Sequence, residues 1–161
     1  MIQYAKYKNI AVSFNTNLHF LNKENARELI LSGLDHIKIS LDGADAQTYL
    51  KYRVGGDFDK VIENIKLLVQ TRSSLQKNNP FIEVQFIVMG HNENQISQFK
   101  RLCAGLGVDG LMIESVRPDM RQELFSADPE SIKNYKEWLP LNEDYSKFDY
   151  TLKQRKRKSI T

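Results

Sequence analysis

Cysteine is almost missing from this chain of 161 residues: Cys103 stands alone. One thiol excludes a disulfide framework within the chain and any all-cysteine metal site. Proline (4) and glycine (8) are too sparse for collagen or low-complexity disorder. No apolar run approaches the ~20 residues of a membrane span. The first eight residues, Met1 to Lys8, contain no apolar secretory core. A cytoplasmic globular protein with no membrane partner is the expectation. Also absent are His-Glu-x-x-His, Gly-x-Ser-x-Gly, a Walker loop and Gly-x-Gly-x-x-Gly. His19, His36 and His91 show no ligand spacing, and no nucleophile is visible beside its base.

The net charge of +3 comes from one place. Lys153, Arg155, Lys156, Arg157 and Lys158 crowd the C-terminal end, and the rest of the chain is slightly acidic. Such a run can bind anionic partners, but it reads first as a solvated terminus. No basic stripe elsewhere supports a nucleic-acid footprint, so no nucleic-acid partner is expected.

What the sequence does contain is a repeating unit. Four runs rich in β-branched or aromatic residues read as strands: residues 10–14, 36–41, 81–89 and 110–114. Helical periodicity separates them. Ala26, Leu29, Ile30 and Leu34 form one stripe, with Asn22 placed as N-cap and Gly33 as terminator. Phe58, Val61, Ile62, Ile65, Leu68 and Val69 form a second after Asp57. Ile96, Phe99, Leu102, Cys103 and Leu106 form a third that stops at Gly107, and its place there makes Cys103 a core residue. The alternation implies βαβ units and a parallel sheet. An echo reinforces this: Gly33-Leu34-Asp35 and Gly107-Val108-Asp109 both close a helix and lead into a strand. Four strands are too few for a closed barrel of about 250 residues. The unit is an open sheet or a slice of a larger (βα) barrel, expected to be incomplete at both ends. Its uncovered side is expected to leave apolar area exposed and to drive self-association.

Two parts are expected. Residues 1–117 form the partial barrel, and 118–161 a helical segment with a basic linker or tail. A short helix opened by Asp128 and Pro129 would lead to Trp138, an anchor against the barrel wall.

In parallel α/β folds, ligands bind beyond the carboxyl ends of the strands. Those positions hold Asn15-Thr16-Asn17, Ser40-Leu41-Asp42-Gly43, Gly90-His91-Asn92-Glu93 and Glu114-Ser115. Residues 43–56, with Tyr49, Tyr52, Arg53 and Gly55-Gly56, read as a long loop, more often a lid than a spacer. Each polar residue here also has a turn or capping role open to it. Asp42-Gly43 is a common turn pair, and Arg53 has Asp57 and Asp59 within reach as salt-bridge partners.

Thr16-Asn17, the run Ile37-Lys38-Ile39-Ser40-Leu41-Asp42-Gly43, Arg53 and Asp57-Phe58-Asp59-Lys60-Val61 occur in an order that resembles the middle of a radical S-adenosylmethionine (radical SAM) enzyme. The likeness is greatest to members with a C-terminal SPASM domain of auxiliary iron–sulfur clusters, and it covers residues 1–117. It implies a partial TIM-like barrel of parallel strands with outer helices. It also implies an oxidoreductase that cleaves S-adenosylmethionine at a [4Fe–4S] cluster and abstracts hydrogen from a peptide or small molecule. Carried over residue by residue, Thr16, Asn17, Ser40, Asp42 and Arg53 line the cosubstrate rim, with Arg53 reaching its carboxylate. Gln85 and Ser115 would point toward ribose and adenine. The family's Cys-x-x-x-Cys-x-x-Cys and Gly-Gly-Glu-Pro are absent from this sequence, so this chain cannot ligate the cluster. No catalytic or metal-ligating residue is therefore assigned. The expected partners are the substrate, further copies of the chain, or missing complementary segments. The alternative is a non-catalytic ligand-binding or self-associating remnant.

Overall fold

The computed structural model describes residues 1–115 and 138–145. The elements run α1 (Ile2–Tyr7), β1 (Ser13–Thr16), α2 (Lys23–Leu31), β2 (His36–Ser40), α3 (Ala46–Tyr52), α4 (Phe58–Ser74), β3 (Phe81–Val88), α5 (Ile96–Leu106) and β4 (Gly110–Ser115). The four strands pair in parallel in the order β1-β2-β3-β4. This is an α/β fold with an unclosed parallel sheet, as a partial (βα) barrel requires.

Local chemistry sets the helix ends. Asn22 accepts from the Asn25 N–H while the Asn25 side chain accepts from the Asn22 N–H, a reciprocal cap on α2. Asp57 caps α4 through the Lys60 N–H. At the other end of α5, Gly107 takes the left-handed conformation at φ 71° that a side chain would resist.

The first strand departs from expectation. Pairing covers Ser13–Thr16 rather than residues 10–14. The Ile10 N–H returns to the Ala5 carbonyl, and Asn9 adopts φ 56°, so this stretch closes α1 before the sheet begins. Residues 43–56 also differ from the expected loop, because α3 lies within them. Asp45 caps that helix through the Thr48 N–H at 2.8 Å.

The sheet has two unlike faces. Toward the helices, Ile37, Ile39, Ile82, Val84, Phe86 and Val88 are at most 1% exposed, packed against Ile30, Val61, Ile65, Leu68, Phe99 and Cys103. Each such side chain contributes about 1.5–3 kcal/mol by leaving water. Strand residues alternate sides, so the opposite face carries His36, Lys38, Ser40, Glu83, Gln85, Met112 and Glu114, all half-buried. The expected open apolar side is therefore a polar one. The alternation in His36-Ile37-Lys38-Ile39-Ser40 and Ile82-Glu83-Val84-Gln85 accounts for it.

The expected loop and helix over residues 116–137 and the basic tail lie outside the described residues. Trp138 is described. Its ring stands 5.7 Å from that of Tyr52 and 5.3 Å from that of His91, and its carbonyl accepts from the Gly90 N–H.

Candidate functional site at the carboxyl ends of the strands

The rim beyond β2 and β3 is built around Asp42. Its side chain is 0% exposed. Oδ1 accepts the Ile87 N–H at 2.7 Å, extending the β2–β3 ladder by a side chain. Oδ2 accepts from Arg53 Nε at 2.7 Å and Nη2 at 2.6 Å. The Asp42 carbonyl accepts from Asn92 Nδ2 at 3.1 Å. Burial pushes the Asp42 carboxyl above its ordinary pKa, while Arg53 and the Ile87 N–H pull the other way. Arg53, just after α3, keeps its side chain 29% exposed and lays its guanidinium over the Tyr52 ring at 5.1 Å. Its partner is thus Asp42, rather than Asp57 or Asp59.

Two glycines make this approach possible. A Cβ on Gly43 would stand 2.5 Å from the Tyr49 backbone N, and one on Gly56 would stand 2.7 Å from the Tyr49 ring. α3 therefore settles onto the strand end at backbone contact. Asn92 and Gln95 complete the frame. Asn92 Oδ1 accepts the Met89 N–H, and its Nδ2 also reaches the Ile87 carbonyl. Gln95 accepts the Ala44 N–H and donates to Asp45 and Thr48.

The residues singled out in the sequence do not all converge. Ser40 and Gln85 are register partners on the polar face, next to Met112. Gln85 Nε2 donates to Glu114 Oε2 at 2.9 Å, so this row continues to β4. Thr16 and Ser115 fall on the helix-side parity of their strands. Thr16 Oγ1 accepts the Leu18 N–H and Asn17 Oδ1 the His19 N–H, so both serve the turn in which Leu18 holds φ 57°. Both also line an apolar cavity of about 250 Å³ with Phe14, Leu21, Leu29 and Ile37, on the helix side of β1. Ser115 donates its hydroxyl to the Tyr145 carbonyl.

Sequence reasoning did not single out Lys38, Glu83 or Gln95. Glu83 Oε2 lies 3.9 Å from Lys38 Nζ and 3.3 Å from His36 Nε2, the latter without hydrogen-bond alignment. The period-2 alternation of charge within the strands was the available signal. His91 sits beside the rim with Nε2 buried and, among the described residues, without a hydrogen-bond partner. Burial first, then Lys51, lowers its pKa, against the pull of Asp42, so its ring is neutral at pH 7.

Chemically, the rim offers a fixed cation at Arg53 and a row of donors and acceptors at Ser40, Gln85 and Glu114. Cys103 faces the helix–sheet core, and burial pushes its thiol up to about 12. A thiol so protonated is neither nucleophile nor metal ligand at neutral pH. Among the described residues no group of three or more His, Cys, Asp or Glu is arranged to hold a metal. Nor, among them, is any helix long and apolar enough to cross a membrane.

Residues 1–103 match the radical SAM superfamily. The chain belongs to the radical SAM superfamily. It is similar to the probable GTP 3′,8-cyclase of Saccharolobus solfataricus, 30% identical over 128 residues, covering 80% of this chain and 39% of that protein. The probable GTP 3′,8-cyclase of Saccharolobus islandicus is 29% identical over the same shares. The mycofactocin maturase of Mycobacterium ulcerans is 28% identical over 144 residues, 86% of this chain and 37% of that protein. The chain thus spans about two fifths of the length of the relatives it matches.

Intact radical SAM enzymes use S-adenosylmethionine and a [4Fe–4S] cluster. The residues present do not fit the cluster, which needs several thiolates where this chain has one, buried and protonated. They do fit part of S-adenosylmethionine, because Arg53 presents a permanent positive charge suited to a carboxylate.

Proposed function

We propose that this chain is the cosubstrate-facing portion of a radical SAM oxidoreductase whose substrate is a peptide or small organic molecule. The observation that carries this reading is Arg53, held by a buried carboxylate at the carboxyl-end rim of a radical SAM sheet with its charge partly open to water. Here the chain's own residues bind and orient. Arg53 takes the carboxylate of S-adenosylmethionine, and the Ser40–Gln85–Glu114 row supplies hydrogen bonds to its polar atoms. When bound in an intact enzyme, the cluster supplies the electron that cleaves the cosubstrate. With one cysteine, this chain performs no such cleavage alone. The missing ligands would come from a complementary segment or another chain that carries the Cys-x-x-x-Cys-x-x-Cys motif; a SPASM-type extension would add only auxiliary clusters.

Two measurements test the reading. Anaerobic reconstitution with iron and sulfide should leave the chain far below one cluster; about four irons per chain would overturn the proposal. S-adenosylmethionine should still bind by calorimetry, with Kd near millimolar, about −4 kcal/mol. A chain that binds the cosubstrate no better than it binds glucose would remove the basis for a surviving site.

A further inference from the structure

The sequence places Asp42 among the residues that touch the ligand, but the structure gives it no surface with which to do so. It is 0% exposed, and three N–H groups, from Ile87 and Arg53, converge on its two carboxylate oxygens. Arg53 keeps donors beyond the two it turns onto Asp42, and its side chain is partly exposed. An arginine carries five N–H donors in a rigid plane. Nε and Nη2 are turned onto Asp42 Oδ2, the plane lies over Tyr52, and the side chain stays 29% exposed. Asp42 is itself fixed at both ends, through Ile87 on β3 and through its carbonyl to the buried Asn92. Arginine's long side chain normally loses rotamer entropy when a ligand orders it. Here the ordering is already done by the fold.

We propose that Asp42 is a positioning residue that acts through Arg53, fixing the guanidinium so that its remaining donors take the carboxylate of an amino-acid-bearing ligand. The inference rests on the reading of this rim as a site for S-adenosylmethionine. It assigns Asp42 no contact with that ligand and makes its contribution specific to the carboxylate end.

The test compares two probes, S-adenosylmethionine and 5′-methylthioadenosine, which shares the adenosine and sulfur but lacks the amino-acid carboxylate. Affinities are measured by calorimetry on the full chain. The wild type should prefer S-adenosylmethionine by about tenfold, the worth of a charge-assisted bond. Asp42→Asn keeps the side-chain shape and should abolish most of that preference while leaving 5′-methylthioadenosine unchanged. Arg53→Lys, at a partly exposed position, should do the same. The double variant should lose no more than either alone, because the two residues act as one unit. The Arg53 Nε–H signal in ¹⁵N NMR should be sharp in the wild type and broadened in Asp42→Asn, with or without ligand. Equal weakening of both probes by Asp42→Asn would overturn the inference in favour of a purely structural pair. So would additive losses in the double variant. If the wild type binds 5′-methylthioadenosine but gains nothing from the carboxylate, the inference falls while the adenosine site stands. If it binds neither probe, the reading of the site falls and takes the inference with it.

Discussion

The two ends of the sheet use the same device with opposite results. At the amino ends, Asp35 accepts the Val12 N–H and bonds Lys6 at 2.6 Å, and Asp109 accepts the Ile82 N–H and pairs with Arg72. At the carboxyl ends, Asp42 accepts the Ile87 N–H and pairs with Arg53. Each is a carboxylate that ties a neighbouring strand to a cation. Yet Asp35 and Asp109 are held below the usual carboxylate range, while Asp42 is raised. The Lys6 hydrogen bond dominates at Asp35. At Asp109, burial opposes ionisation, but the bonds from Arg72 and Ile82 overrule it. At Asp42, burial wins. The same three-part motif fastens the sheet where water reaches it. Where the carboxylate is buried, the motif pairs an acid whose ionisation burial opposes with a cation that stays partly exposed.

Removing one partner separates the two ends most sharply. Asp42→Ala removes the acceptor of both the Ile87 N–H and the partly exposed Arg53 guanidinium, and the two losses together should lower stability by about 3–5 kcal/mol in urea titration. Asp109→Ala, at a side chain 29% exposed, should cost about 1.5–3 kcal/mol. If the two losses are equal, the difference in burial does not govern the difference in role. Gly43→Ala probes the carboxyl rim without touching a charge. The new Cβ meets Tyr49 backbone atoms at 2.5 and 2.8 Å, so α3 must lift, at about 1–3 kcal/mol. The same lift should weaken the Arg53-dependent preference for S-adenosylmethionine.

Acid titration sharpens the comparison through sign. Asp35, Asp45 and Asp109 have lowered values, so their stabilisation is present above the unfolded pKa, ~3.9, and is lost as pH falls through their folded values. Asp42 has a raised value, so the folded chain takes up that proton first. Its contribution rises as pH falls from its own value toward ~3.9. Stability measured from pH 6 to pH 2 should therefore fall later in the wild type than in Asp42→Asn, which lacks the opposing proton. Asp109→Asn should flatten the loss below pH 4. Parallel curves for all three proteins would contradict these directions.

The amino ends were more legible in the sequence than the carboxyl ends, for a physical reason. Gly33-Leu34-Asp35 and Gly107-Val108-Asp109 are contiguous, and in the structure both glycines take positive φ and both aspartates tie down a strand. Asn22, Asp57 and Gly107 act within one turn of their own position, so spacing alone exposed them. The Asp42–Arg53 pair closes across a seven-residue helix that carries no apolar stripe long enough to declare itself. Asp42-Gly43 consequently reads as a turn, although Asp42 is the most enclosed acid on the sheet. The polar face was present in the alternation of β2 and β3, but strand runs in a parallel fold are ordinarily apolar on both sides. That expectation hid the charges of Lys38 and Glu83.

The smallest predicted effect serves as the control for all of these. Gly105 lies inside α5, exposed, and a Cβ built there meets nothing within 4 Å. Glycine in a helix costs about 0.8–1.0 kcal/mol relative to alanine, less near a helix end. Gly105→Ala should therefore stabilise the chain by about 0.5–1 kcal/mol, seen as a higher urea midpoint at unchanged slope. α5 at this point leads to the amino end of β4, on the far side of the sheet from Arg53's rim, so the preference between the two adenosine probes should not move. The gain should also survive in the Asp42→Asn background, because sites without shared partners add. A loss of stability instead would mean that another body packs against this helix face, contrary to the open space around Gly105.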